Sequence, residues 1–378
     1  MKKAFIITTI ALGISLGAAA QKIGVGTIVL KDKSVYTGDI VGGKPHGNGT
    51  TKWPNGDTYV GLYYKGFRQG QGTYTFIDGE KYVGEWQKDH QQGMGIYYFK
   101  NNNRYDGPWE KDYQCTSPKY PTGTMYYYNG DVYRGEWKND IREGKGTYTY
   151  ANGAEYTGTW ANDKKNGYGK FTWPDRASSY EGEWIDNIRH GQGLAIYDNG
   201  DTYAGKWEAD LMHGEGEYRY PNGDFFKGTY YQGKRNGQGV FKYANGDSYT
   251  GNFILGEKSG MGTFIWADGS NYIGSWKNDM RNGRGKYTWA NGDIYEGGWA
   301  NDEYHGEGTI RYANGNKMKG TFKNGNREGK FIEEDAQGNR FEGSYHEDVR
   351  HGNFIEKDNM GNVVAKGRYE NGKRYTKE

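Results

Sequence analysis

A column of basic residues recurs at one position of a repeating sequence pattern in this chain. Its members are Arg68, Arg142, Lys165, Arg189, Arg235, Lys258, Arg281, Arg327 and Arg350. Guanidinium groups bind phosphate and carboxylate groups through paired hydrogen bonds, so such a row could bind an acidic glycan or an anionic lipid headgroup. Acidic residues lie a few positions earlier in the same predicted loops: Asp140, Asp163, Asp210, Asp279 and Asp302. Local ion pairing along a solvated edge is therefore the alternative interpretation.

Histidines recur at the position after the basic column, at His46, His190, His213, His305 and His351. Equivalent positions in neighbouring hairpins lie two strands, or roughly 9 to 10 Å, apart. Two imidazoles on one zinc ion each need a bond of about 2 Å. We therefore predict a polar loop role for these histidines, with no metal and no cofactor.

A column of tryptophans has the same spacing. It contains Trp86, Trp109, Trp137, Trp160, Trp184, Trp207, Trp276 and Trp299. Large aromatic rings contribute most of the burial in thin folds. These rings are therefore predicted to form the structural core, and a dedicated ligand site is the alternative.

All these columns belong to one repeat, led by an aromatic residue or Met two positions before a Gly. The leading residues, mostly 23 positions apart, are Tyr36, Tyr59, Tyr82, Tyr105, Tyr133, Tyr156, Tyr180, Tyr203, Phe226, Tyr249, Tyr272, Tyr295, Met318 and Phe341. A fixed period of this length indicates a stacked repeat architecture, in which each repeat is stable only against its neighbours.

Each repeat contains two alternating segments, which predict a β-hairpin. In the first, Tyr133, Gly135 and Trp137 fall on one face, and Arg134 and Glu136 fall on the other. Pairs such as Asn152-Gly153 connect successive repeats and favour a type I′ turn. The opposite loops are expected to be longer and to carry the Gly-x-Gly sequence. A ring from the adjacent strand is expected to cover the strand glycines.

One segment departs clearly from the period. Tyr105 and Tyr133 are 28 residues apart, and the extra residues form an insertion near Asp112 to Pro121. Such an insertion is either a partner-binding loop or neutral drift. It contains Cys115, the single cysteine, whose role the sequence does not assign.

Residues 1–20 have the order of a secretory signal peptide. Lys2 and Lys3 precede an apolar run, and three alanines end before Gln21. We predict an exported mature chain, periplasmic, outer-membrane-associated or secreted, with repeats across residues 21–378. Without Lys2 and Lys3, basic and acidic residues are equal in number, which argues against a nucleic-acid partner.

The pattern Tyr-x-Gly-x-Trp, Gly-x-Gly and Asn-Gly resembles the MORN (membrane occupation and recognition nexus) repeat over residues 24–372. About 14 repeats of 23 residues and partial terminal repeats fit it. Ile40, Phe253 and Phe322 replace Trp, and Met318 replaces the leading Tyr. The resemblance implies an extended antiparallel sheet with a role in protein interaction, dimerisation or membrane-associated scaffolding.

The predicted fold class is all-β, an elongated, single-layer array of antiparallel β-hairpins forming a solenoid-like, twisted ribbon. The predicted function is a non-enzymatic scaffold at the cell envelope, with another protein or a second copy as partner. A kinase-like Gly-rich loop with a strand Lys is missing from the sequence. The alternative is binding of a glycan or lipid headgroup through the aromatic rows and the basic column.

Overall fold

The computed structural model describes residues 23–376, so the predicted signal peptide at 1–20 lies outside the described residues. The chain forms two compact units, Met1–Ala151 and Asn152–Glu378. Residues 23–376 contain only strands and their connections, and no helix there has the length and apolar character needed to cross a bilayer. The all-β prediction is confirmed.

The first unit contains twelve strands: β1 Gly24–Val29, β2 Val35–Val41, β3 Lys44–Lys52, β4 Thr58–Tyr64, β5 Phe67–Thr75, β6 Lys81–Gln87, β7 His90–Tyr98, β8 Arg104–Glu110, β9 Tyr113–Gln114, β10 Gly123–Tyr126, β11 Val132–Lys138 and β12 Ile141–Thr149.

The second unit begins with β13 Glu155–Ala161, β14 Lys164–Thr172, β15 Ser179–Ile185, β16 Ile188–Ile196, β17 Thr202–Glu208, β18 Leu211–Arg219, β19 Phe225–Tyr231, β20 Lys234–Lys242, β21 Ser248–Ile254, β22 Glu257–Ile265 and β23 Asn271–Lys277. It continues with β24 Met280–Thr288, β25 Ile294–Ala300, β26 Glu303–Arg311, β27 Lys317–Lys323, β28 Asn326–Glu334, β29 Arg340–His346, β30 Val349–Arg350, β31 Gly352–Lys357, β32 Val363–Glu370 and β33 Lys373–Thr376.

Nearly all strands that follow one another within a unit pair antiparallel, and the register repeats. The exceptions are β10, which pairs with β8, and β31, which pairs with β29. In a typical hairpin Gly61 lies opposite Gly72 and Tyr63 lies opposite Arg68, with a β-bulge between the two pairs. The next contact, from Gly72 to Gly84, has no bulge. The bulge adds residues to the second strand of each repeat and places its basic residue opposite the ring that ends the first strand.

The turn types differ from the prediction at both edges. Around Asn55-Gly56, Trp53 N donates to Asp57 O at 2.9 Å and Gly56 N donates to Trp53 O at 3.0 Å. Gly56 has a φ of 99°, whereas Asn55 is outside the positive-φ region. This is a three-residue loop with a type I turn and a left-handed glycine, so the type I′ assignment of the Asn-Gly links is wrong.

The type I′ turns lie at the opposite edge instead. Lys88 and Asp89 have φ values of 49° and 73°, and they connect the paired residues Gln87 and His90. The Gly-x-Gly sequence that was expected in this loop lies inside the following strand β7. These loops are therefore the shorter ones.

Paired glycines underlie the leading rings from Tyr36 to Tyr295. A Cβ built on Gly61 or on Gly72 would overlap the side chain of Tyr59. The ring therefore comes from the leading residue of the same hairpin, two positions before the first glycine, and not from a neighbouring repeat. Any side chain at these glycines would displace a buried Tyr.

The covering ring changes position near the C-terminus. Met318 replaces the leading Tyr, and Phe331 stands where the second-strand Gly would be. Phe331 is 1% exposed, and a Cβ on Gly320 would meet its ring. The ring is thus supplied by the other strand of the hairpin, and the apolar layer continues.

The insertion stays attached to the sheet. Cys115 N donates to Pro108 O at 3.1 Å, and Thr116 N donates to Trp137 O at 2.9 Å. Cys115 is half-buried, with Sγ 3.9 Å from Thr116 O. Beyond it, Gly123 lies opposite Gly135, so the repeat register is recovered.

Candidate binding surfaces

One face of each hairpin, called here the inner face, carries the buried aromatic rings. All eight residues of the tryptophan column are buried, with Trp207 at 2% exposure. The Trp109 indole Nε1 donates to Gly95 O in the preceding repeat at 3.3 Å, and the Tyr82 hydroxyl donates to Glu85 O at 2.9 Å. Both ring types therefore pack while their polar atoms are satisfied.

The inner rings contact one another edge to face. The Tyr82 ring lies 5.2 Å from Trp86 and 5.3 Å from Trp109, at interplanar angles of 88° and 82°. Because each leading ring sits between the tryptophans of its own and the next repeat, the rings fasten neighbouring hairpins. They form a structural layer.

The basic column also lies on the inner face, across these rings. The Arg281 guanidinium carbon is 4.3 Å from the centre of the Trp299 ring and 5.6 Å from that of Tyr287. Its side chain is 20% exposed. Arg68, Arg189 and Arg327 likewise lie over a Trp or Tyr of the next repeat, at 4.2, 4.3 and 4.2 Å.

Most of these cations pair with an Asp in the type I′ turn of the following repeat. The ion pairs are Arg68–Asp89, Arg189–Asp210, Lys258–Asp279, Arg281–Asp302 and Arg327–Asp348, at 3.2, 3.0, 3.9, 2.9 and 2.9 Å. In each pair the same Asp oxygen also accepts the backbone N–H of the basic residue. Each ion pair joins two successive repeats, whereas the sequence had suggested ion pairing within a single loop.

Burial and ion pairing shift the pKa values of these groups in opposite directions. Burial lowers the pKa of Lys165 and Lys258 below the ordinary lysine value, against the pull of nearby aspartates. Burial alone would raise the pKa of Asp348, but hydrogen bonds from Arg327 hold it below its usual value. The paired Asp348 carboxylate is thus stabilised in its charged form.

The other members of the column vary in their contacts. Arg142 lies over Tyr133 and Tyr148 at 5.6 and 5.4 Å, and Lys165 Nζ is 4.4 Å from the Trp184 ring. Arg235 donates to Gly256 O at 2.9 Å. Arg350 lies 3.9 Å over Phe341 and bonds Glu333 at 2.8 Å. The structure thus lines all nine up on the ring layer, and anion binding by them stays a prediction.

The turn aspartates Asp89 and Asp348 pair with the column although the sequence pattern had not indicated them as its partners. An Asp at the second position of a two-residue loop recurs at the repeat period, and that signal could have found them. At Gln91 and Gln114 an amide replaces the basic side chain, and the backbone N–H still donates to Asp112 or Asp140 at 2.7 Å. The turn Asp therefore still accepts a backbone N–H where the column has no cation.

The histidine column does not converge. His213 Nε2 lies 3.3 Å from Glu208 Oε2, and the centre of the His46 ring lies 5.3 Å from that of Tyr64 at an interplanar angle of 51°. Over residues 23–376 no three His, Cys, Asp or Glu side chains are grouped to hold a metal ion.

The opposite face, called the outer face, differs between the units. Its central row, the outer row, crosses β1 to β7 through cross-strand pairs of uncharged residues: Thr27, Thr37, Thr50, Val60, Thr73, Val83 and Ile96. In the second unit the same row includes charged pairs such as Lys170–Glu181 and Glu217–Lys227. Strands β1 to β7 of the first unit therefore present an uncharged outer strip, which ends where Ile96 lies opposite Asp106 in β8.

The repeat geometry agrees with the comparison of the sequence with known families. The MORN repeat matches residues 36–58, 59–81, 82–104, 133–155, 156–178, 180–202, 203–225, 226–248, 249–271, 272–294, 295–317, 319–330 and 341–353. The chain belongs to the MORN repeat family. The gap between the third and fourth matched repeats contains the insertion, and the short match at 319–330 lies between Met318 and Phe331, which depart from the pattern.

No curated protein matches this MORN chain. Among solved structures it is similar to the SAS-4 TCP domain of Drosophila melanogaster in complex with a proline-rich motif of Ana2, at 18% identity and a TM-score of 0.27, covering 40% of this chain and 82% of that one. It is also similar to the Danio rerio CPAP TCP10 domain with a STIL peptide, at 10% identity and a TM-score of 0.15, covering 72% and 93%. At these TM-scores the likenesses carry no argument about binding.

Proposed function

We propose that this MORN-repeat chain is a non-enzymatic scaffold that is exported and binds another protein at the cell envelope. The observation that carries the proposal is the uncharged outer strip on β1 to β7. Protein surfaces that expose contiguous apolar side chains commonly bind other macromolecules. Here Val60 is 55% exposed, and Val25 and Val29 flank the row with 82% and 72% exposure.

The two faces differ in how far their side chains are already occupied. Inner-face rings contact one another, and the column cations lie on those rings with carboxylate or carbonyl partners. Along the outer strip four side chains are exposed and three are partly exposed: Thr27, Thr37, Thr50 and Val60, and Thr73, Val83 and Ile96. A partner can desolvate them without breaking an ion pair, so we assign protein binding to this face.

The second proposal, binding of a glycan or lipid headgroup through the basic column, has weaker support. An incoming anion would compete with Asp210, Asp279 or Asp302 for a cation held over a ring. That exchange replaces one charge-assisted contact by another and gains little.

The proposal is tested by affinity capture from envelope extracts with the chain, a Val60→Lys/Val83→Lys variant and an Ile273→Lys control. Ile273 occupies the outer row of the second unit and is 48% exposed, which makes it a matched site. We expect one stoichiometric protein partner with the unaltered chain and the control, and its loss with the double variant.

Retention of that partner by the double variant would show that the outer strip is not the binding surface. Binding only to anionic vesicles or acidic polysaccharide, without a protein partner, would favour the second proposal. Turnover of a small substrate by the pure chain would contradict the non-enzymatic assignment.

A further inference from the structure

Strand β1 pairs with β2 along one edge only. Within residues 23–376 no strand pairs with its other edge. Alternate residues of an edge strand present backbone N–H and C=O groups that can extend the sheet. The six residues Gly24–Val29 include neither a charged residue nor Pro, the devices that commonly block such pairing.

The repeat pattern shows what is missing beside β1. Gly26 lies opposite Gly38 just as Gly49 lies opposite Gly61, so β1 corresponds to the second strand of a hairpin. In the second strands from Gly49 to Gly308, a Cβ on the corresponding glycine would meet the leading ring of the first strand, as at Gly49 and Tyr36. A Cβ on Gly26 would meet only Ile40 Cδ1, at 3.3 Å. Gly26 is therefore a ring-binding position whose ring is not supplied by residues 23–376.

We infer that the free edge of β1 binds an extended strand of a partner protein that carries an aromatic residue two positions before a glycine. The register follows from the first complete repeat, where Tyr36 lies opposite Thr51 and Gly38 opposite Gly49. Shifted by one repeat, the partner aromatic lies opposite Ile28 and its glycine opposite Gly26. The contact continues the hairpin interface that already recurs through the first unit.

A second copy of the chain is a poorer donor of this strand. The strands with an aromatic-x-Gly sequence, such as β2, β4 and β6, are already paired on both edges within the described residues. Donating one would break two strand pairings to form one. The partner is thus a different protein with an unpaired strand, bound by strand addition.

This inference deepens the proposed scaffold role and rests on it, since it adds the chemistry of the partner segment. It uses a different surface from the outer strip. The Val60→Lys/Val83→Lys variant should therefore still bind the partner strand. Its behaviour distinguishes failure of the outer-strip proposal from failure of the strand-addition inference.

The test uses a labelled peptide with the sequence of β6, Lys-Tyr-Val-Gly-Glu-Trp-Gln, and the full chain. Fluorescence anisotropy should show saturable binding, and hydrogen exchange should slow in residues 24–29. A peptide with Ala in place of its Tyr should bind about tenfold more weakly, because the ring contact is lost. Gly26→Val in the chain should weaken binding of the original peptide by a similar factor.

Val25→Thr is the matched control, because this neighbouring side chain points to the outer face. It should leave binding unchanged. Thermal unfolding of the Gly26→Val variant checks its fold, and the Tyr-to-Ala peptide tests the ring on the unaltered chain.

Equal binding of both peptides, equal binding to the Gly26→Val variant, or unchanged exchange in residues 24–29 would overturn the inference. Slow exchange of β1 in the full chain without peptide would also overturn it, since another segment or a second copy would then already cover the edge.

Discussion

Arg281 Nε lies 2.9 Å from Asp302 Oδ1, although 21 residues separate them. The guanidinium rests on Trp299, three residues before Asp302, so one side chain contacts both a strand and the turn of the next repeat. The same relationship recurs at Arg68, Arg189 and Arg327. The basic column therefore connects successive hairpins.

Replacing three column members by Gln should lower stability. For Arg235→Gln/Lys258→Gln/Arg281→Gln we expect a loss of about 0.5–1 kcal/mol per site, because each cation–ring contact is removed at a partly exposed position. Urea unfolding measures the loss, with Arg284→Gln on the outer face as control. The same variant measures the column as an anion site: vesicle binding that disappears with unchanged stability would contradict the structural role.

Trp207→Ala should be far more damaging than Lys206→Ala. Trp207 is buried and its Nε1 donates to Gly193 O at 3.3 Å, whereas Lys206 is exposed on the outer face. Truncating the Trp207 ring should lower the free energy of unfolding by about 3 to 5 kcal/mol. A substitution at the exposed Lys206 should change it by no more than about 0.5 kcal/mol in either direction. Thermal and urea unfolding of the two variants decide this, and equal small effects would show that the ring adds little to the layer.

Alanine at Gly72 should be poorly tolerated, and alanine at Gly24 well tolerated. The new Cβ at Gly72 would overlap the Tyr59 ring, while at Gly24 it meets nothing within 4 Å. Overpacking of this kind costs about 1–3 kcal/mol. The measurement is the unfolding midpoint in urea. A Gly72→Ala variant as stable as Gly24→Ala would contradict the close seating of the ring.

Asp57 should make stability depend on acid pH. Burial alone would raise its pKa, but hydrogen bonds from Tyr74, Ile77 N and Asn55 hold the pKa of Asp57 below its usual value. Its contribution is therefore present above the unfolded pKa of about 3.9 and is lost as pH falls through the lower folded value. Unfolding free energies between neutral pH and the acid limit should show a smaller pH dependence in Asp57→Asn. An identical pH profile of the Asp57→Asn variant would show that Asp57 does not contribute to the pH dependence of stability.

The mature chain should begin at Gln21. The basic start, the apolar run and the three alanines of residues 1–20 predict cleavage during export. N-terminal sequencing of fractionated cells checks this. Intact Met1 in a cytosolic pool as the main species would contradict both export and the proposed envelope location.

The strands and the buried face could be read from sequence because alternation is a strong local signal. Tyr203, Gly205 and Trp207 share a face in β17, as their spacing predicts. The turns could not be read as well. Asn-Gly suits positive φ angles, yet only its glycine uses one, while Lys88-Asp89 adopts a type I′ turn without any glycine. The surrounding strands impose that geometry.

The contacts of the basic column were less predictable, since they depend on that turn and on the bulge together. The bulge sets Arg68 opposite Tyr63, and the next turn then brings Asp89 to it. Spacing alone suggested an Asp in the same loop. In the sequence, the replacement of Tyr by Met318 and of Gly by Phe331 looks like loss of the repeat pattern. Only the packing shows that the Phe331 ring takes the place of the missing Tyr ring.

Seven tryptophans of the column donate an indole N–H to the carbonyl of a glycine one repeat earlier: Trp86, Trp109, Trp137, Trp184, Trp207, Trp276 and Trp299. The bond is made even across the insertion, where Trp137 Nε1 lies 3.2 Å from Gly123 O. A repeat with Trp at this position therefore donates one such bond to the repeat before it, whereas Tyr63, Tyr230, Phe253 and Phe322 offer no indole there. Removing or duplicating a whole repeat would leave each of these indoles beside a glycine carbonyl of the preceding repeat, whereas removing half a repeat would leave an indole without that acceptor. The array can therefore lengthen or shorten without breaking these bonds only by whole repeats.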